Sequence, residues 1–168
     1  MTDQRFGPAM KDFEFTVPPD YQHDTQLDTF AEKTKRLKTT YYFNDGLTSK
    51  NFAKATNKLE PGKTYRVRIF PVLETVTSED CMTFLKKQGA ILVGGQGVTL
   101  LQDQKADEFP VGKWTVSFDE KDALWEDAGG FHGVPGVFRY SDGDWEFNLG
   151  YFDYDWGDYY CLLCVTEV

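Results

Sequence analysis

Residues Gly143–Val165 read GDWEFNLGYFDYDWGDYYCLLCV, a dense run of aromatic, acidic and glycine residues. Its alternation has a period of two, the signature of a strand whose successive side chains point to opposite faces. Trp145, Phe147 and Leu149 fall on one face, Glu146 and Asn148 on the other. At Gly150 the phase slips, so that Phe152, Tyr154 and Trp156 take the apolar positions and Tyr151, Asp153 and Asp155 the polar ones. A glycine at a phase change is what a β-bulge asks for, because the extra residue has no ladder partner and often needs positive φ. The expectation is a single bulged ribbon whose outward face carries Glu146, Asn148, Tyr151, Asp153 and Asp155 toward solvent or a ligand.

Working outward, Tyr159–Val165 is an apolar run suited to an interior strand, and Ser141-Asp142-Gly143 marks a hairpin to a strand near Gly136–Tyr140. Lys113–Phe118 (KWTVSF) and Thr64–Phe70 (TYRVRIF) alternate in the same way, the latter ending near Pro71. In Ala90–Leu101 (AILVGGQGVTLL) two apolar runs flank glycines, which predicts a tight hairpin at Gly95-Gln96. Helices are expected over Asp28–Lys38, Leu47–Leu59 and Glu79–Lys87, the last capped by Thr77 and Asp80, with one or two helical turns over Asp119–Asp127. Residues 1–25, punctuated by Pro8, Pro18 and Pro19, read as an irregular arm or a lone edge strand, and 26–168 as one domain. The sum is an α+β fold: a mainly antiparallel sheet of five to seven strands with two or three short helices on one side.

A chain of 168 residues with 40% apolar and 16% aromatic content has enough material for one real core. Its net charge of −9 is carried entirely by residues 61–168, and between Asp103 and Asp158 fourteen acids face four bases. A field of that sign repels phosphate backbones and attracts basic proteins or peptides, so direct nucleic-acid binding is disfavoured. No apolar run approaches the ~20 residues that span a bilayer. The opening MTDQRFGPAMKDFEF has no apolar core of the ~7 residues that a secretory signal needs. With three cysteines, an odd number, this fits reduced thiols in a cytosol, whether the cell's own or that of a virus's host.

Gly94-Gly95-Gln96-Gly97 would cradle a phosphate only at a helix start, yet strand-like Val98–Leu101 follows and no Lys-Ser/Thr pair does. Cys161 and Cys164 have redox or zinc spacing, but on a strand residues three apart diverge. Only Cys81, His23 and His132 remain to complete a zinc site, so the cysteines read as small buried hydrophobes. Asp153–Asp158 is not an EF-hand, since glycine stands fifth instead of sixth and Cys164 takes the place of the twelfth-position glutamate. Another calcium geometry, joined by Asp142 and Asp144, stays open. His132 sits in a rigid Phe-His-Gly-Val-Pro-Gly turn and is a candidate to line a cleft, although no nucleophile motif accompanies it. Lys33, Lys35, Arg36 and Lys38 form a basic patch suited to docking on the acidic surface, in the same chain or a neighbour, if Phe30 and Leu37 are buried.

The reading that survives is a non-enzymatic binding or assembly module that presents Glu146, Asn148, Tyr151, Asp153 and Asp155, with His132 nearby, to a basic partner. A nucleic-acid-mimicking inhibitor is one form of it. The alternative is a carboxylate-dependent carbohydrate-active or metal-dependent hydrolase, with Glu146 as acid and Asp153 or Asp155 as its partner. No cofactor is implied. Homo-oligomerisation through the N-terminal arm is a third possibility.

Overall fold

The computed structural model describes residues 3–168. Eight strands form one mixed sheet: β1 (Lys11–Thr16), β2 (Thr40–Phe43), β3 (Thr64–Pro71), β4 (Trp114–Val116), β5 (Trp125–Glu126), β6 (His132–Arg139), β7 (Trp145–Tyr151) and β8 (Tyr160–Glu167). Their order is β1-β3-β8-β4-β6-β7-β2, with β5 paired to β6. Most pairs are antiparallel, but β4 runs parallel to β8 and β2 parallel to β7. Three α-helices accompany the sheet: α1 (Gln26–Thr34), α2 (Ser78–Lys87) and α3 (Gly94–Lys105).

Cross-strand partners share a face, so the register sorts the side chains into two sets. Phe147, Val137, Thr115 and Cys161 belong to one face, where α1 sets Phe30 edge-on to Phe147 and α3 brings Gly95 against Pro135. Phe70 and Leu162 belong to the other face, where α2 sets Phe84 edge-on to Phe70. The expectation that the helices all lie on one side of the sheet is therefore overturned. Two cover one face, and the third covers part of the other.

The α2 start matches its sequence: Thr77 Oγ1 accepts from the Asp80 N–H, and the Asp80 carboxylate accepts from the Thr77 N–H. Each bond satisfies a donor left free at the helix end. Gly89, at a φ of +79°, ends the helix. By contrast, the predicted hairpin over 90–101 is wrong, because Gly94–Leu101 is the buried first part of α3. A helix buried on all sides has no polar stripe and hence no 3.6-residue signal. A Cβ at position 95 would stand 3.3 Å from Pro135 and 3.4 Å from Leu27, so that glycine lets α3 approach both sheet and α1.

The helix expected over Leu47–Leu59 is instead a turn-rich loop. Phe52 and Leu59, two of the three residues (with Ala55) read as its apolar side, are buried, as is Leu47, but the polar side chains between them bond backbone. Asn51 donates to the Gly46 carbonyl, and Thr48 accepts from the Asn51 N–H. Such local bonds compete with the helical ladder. Asp119–Asp127 holds a 3-10 turn and the short β5, and with β2 this brings the strand count above the expected number. α1 ends at Thr34, burying Phe30 but leaving Leu37 49% exposed. Of the basic patch, Lys33 pairs with Asp103 on α3, a contact within the chain. Of the two readings of the N-terminal segment, the edge strand forms instead of the irregular arm: β1 lies at the sheet edge beside β3, and Phe6, Phe15 and Val17 lie in the core. No helix is long and apolar enough to cross a membrane among the described residues.

Candidate functional site

The β6–β7 register runs from Arg139↔Trp145 to Gly133↔Tyr151 without a break, so there is no bulge at Gly150. The phase slip has another cause. After Tyr151 the chain leaves the sheet in a turn and folds back, laying the Trp156 indole over Gly150. A Cβ there would stand 2.6 Å from Trp156 Cη2, so glycine at 150 provides room for a ring. The Trp156 indole Nε1–H donates to Ser78 Oγ at 2.7 Å, which ties the turn to α2.

The five predicted face residues consequently separate. Glu146 and Asn148 share the face that α2 only partly covers. Tyr151, two positions beyond Leu149, points to the opposite face and clusters with Phe131 and Tyr154 at ring separations of 5.1 and 5.7 Å. Tyr154, expected inward, is 56% exposed, whereas Phe152 and Trp156 are buried. Asp153 lies beyond the strand end. It accepts from the His132 N–H at 2.9 Å and from Lys121 Nζ at 3.1 Å, with His132 Nδ1 at 3.4 Å. The His132 N–H bond, with help from Lys121, pulls its pKa down to about 2. Asp155 is exposed in the same turn.

What surrounds Glu146 is a row that the sequence did not reveal. Tyr42, Glu146, Phe138, Trp114 and Tyr160 are successive register partners across β2, β7, β6, β4 and β8. At about 4.8 Å per strand the row spans roughly 19 Å. Within it Trp114 and Phe138 are 5.3 Å apart, and beside it Tyr140 lies 4.6 Å from Phe138 and 5.5 Å from Tyr41. A register irregularity in β2, between Thr40 and Tyr42, brings the Tyr41 ring to this side as well. Tyr41 and Tyr42 are exposed, while Trp114, Phe138, Tyr140, Glu146 and Tyr160 are half-buried.

Within this row the Glu146 carboxylate is held from two sides. Tyr140 donates its hydroxyl to Oε1 at 2.7 Å, and Asn148 Nδ2 donates to Oε2 at 3.0 Å. Asn148 is itself fixed by Asn44 Nδ2, which donates to its Oδ1 at 2.9 Å. The bond to Glu146 pushes the Tyr140 hydroxyl up to about 12. Each carboxylate oxygen keeps acceptor capacity, which suits a bidentate donor. The alternation of Trp114/Val116 and of Phe138/Tyr140 was a legible signal for their facing. Their assembly into a row depends on pairing, which the sequence does not state.

Two other candidates have a structural role. The glycine run does open a helix, and the chain's own Asp119 stands beside its start, with Oδ2 3.4 Å from a Cβ built at Gly94. Asp119 is buried and accepts from the Thr56 N–H at 3.0 Å, the Thr56 hydroxyl and the Glu120 N–H at 2.7 Å. Burial raises its pKa against those donors. Cys161 and Cys164 point to opposite faces, as expected, and all three cysteines are free and buried. Among the described residues no three His, Cys, Asp or Glu converge as metal ligands, so Asp142 and Asp144 do not join the 153–158 acids. The chain matches no protein-family model, no curated protein and no solved structure.

Proposed function

We propose that this protein is a non-enzymatic binding or assembly module whose working surface is the aromatic row around Glu146, and that it takes an arginine-bearing segment of a basic partner. The observation that carries this reading is a half-buried carboxylate fixed by Tyr140 and Asn148 among rings, on the part of the sheet face that α2 leaves uncovered. Guanidinium is the group that satisfies both features, since it meets a carboxylate with two parallel N–H donors and stacks on aromatic faces. Stacking contributes about 0.5–2 kcal/mol per contact. Asp142 and Asp144 at the β6–β7 turn, together with the net charge of −9, would steer such a partner toward the row. A protein that uses arginines to hold nucleic acid would fit the same surface, so a nucleic-acid mimic is one form of this function. The hydrolase reading has less support, because Glu146 and Asp153 are bonded into separate sets of partners.

Fluorescence titration with arginine-rich, lysine-rich and citrulline-substituted versions of one peptide tests this, with Trp114→Phe assigning the signal. The arginine peptide should bind most tightly and lose affinity as salt rises. Glu146→Gln should weaken it by about tenfold or more, ~1.4 kcal/mol. Equal binding of the citrulline peptide, or indifference to Glu146→Gln, would overturn the proposal.

A further inference from the structure

Apart from the row, an open groove of about 530 Å³ runs between the 50–54 loop and the β5–β6 end of the sheet. Lys50 and Lys54 line one wall, and Asp122, Glu126, Trp125 and His132 the other. Charges of opposite sign thus face each other, yet among the described residues none of the four forms an ion pair within 4.0 Å. Elsewhere lysines with a carboxylate in reach do pair, as Lys58 does with Asp24 and Lys86 with Glu120.

The lysine-bearing wall is anchored by bonds that do not involve these charges. Ser49 N–H donates to Asp28, Asn51 to the Gly46 carbonyl, Gln96 Nε2 to the Phe52 carbonyl, and Thr56 to the buried Asp119. The loop is therefore pinned on both sides of Lys50 and Lys54. On the other wall, Asp153 fixes His132, accepting from its backbone N–H and facing Nδ1. A preformed concavity of this volume lies within the range of small-molecule sites.

We propose that this groove binds a small dipolar molecule of the amino-acid or dipeptide class, its anionic end at Lys50 and Lys54, its ammonium end at Asp122 and Glu126, and its body against Trp125. The separation of the walls selects the length of ligand. The site is independent of the aromatic row.

The test is a titration of ¹⁵N-labelled protein with ω-amino acids from glycine to 6-aminohexanoate and the dipeptide Leu-Gly, each to about 10 mM, where even weak small-ligand sites register. One chain length or the dipeptide should give a saturable shift of the Trp125 indole N–H and of the residue 50–54 backbone, with Trp114 unmoved. Lys54→Met and Asp122→Asn, both at exposed positions, should each weaken it about tenfold. Hexanoate and hexylamine, which carry one charge each, should bind at least about tenfold more weakly than the best zwitterion. No saturable shift with any probe, equal binding of the singly charged probes, or indifference to both substitutions would overturn the site.

Discussion

At the scale of single residues, charges in this protein are set by who donates to them. Asp153 is the clearest case: the His132 N–H and Lys121 hold its carboxylate down to about 2, below the ~3.9 of a free aspartate. A folded-state pKa below the unfolded one means a contribution that is complete above about pH 4 and is lost as pH falls toward 2. The site is partly open to water, so the contribution is small, about 1 kcal/mol or less. Asp153→Asn should therefore lower the melting temperature at pH 7, and the gap from the unmodified protein should close near pH 2. A gap of equal size at both pH values would show that the ionised carboxylate is not what matters there. The donors at Asp153 were not legible in the sequence, because His132 and Lys121 lie 21 and 32 positions away.

At the scale of elements, sequence readings held where the signal is local. The α2 cap is written in Thr77 and Asp80, three residues apart, and it formed as anticipated. Gly150 is the opposite case, since its period-two slip was real but its cause lay six residues further on, in Trp156. Gly150→Ala distinguishes the two explanations. Its φ is not positive, so alanine meets no backbone strain, yet its Cβ would press into a ring that Ser78 holds in place. Overpacking of this kind costs about 1–3 kcal/mol. Urea unfolding should show a loss in that range, partly recovered when Trp156→Phe is added. A neutral or stabilising effect of Gly150→Ala alone would contradict the packing account.

At the scale of the whole molecule, both sheet faces are put to use, and the cysteines show it. Cys161 and Cys164 face opposite layers and Cys81 lies in α2, all buried. Burial pushes Cys81 up to about 12 and Cys161 to about 11, so neither is a thiolate near neutral pH. A thiol reagent at pH 8 should therefore modify the native protein slowly. All three thiols should react once urea unfolds it, with the rate tracking the global transition. A thiol that reacts rapidly in native buffer would place it outside the core.

By itself the sequence determined the α+β class, most of the strands, the capped helix and the divergence of the two late cysteines. Each follows from spacing along the chain, which the backbone converts directly into direction. Tertiary structure alone decided that Gly94–Leu101 is helical, that α2 lies across the sheet from α1 and α3, and that Glu146 stands among Tyr42, Phe138, Trp114 and Tyr160. Those outcomes depend on which strand pairs with which, and in what register. Pairing is fixed by burying the whole core at once, a condition that no single window of residues contains.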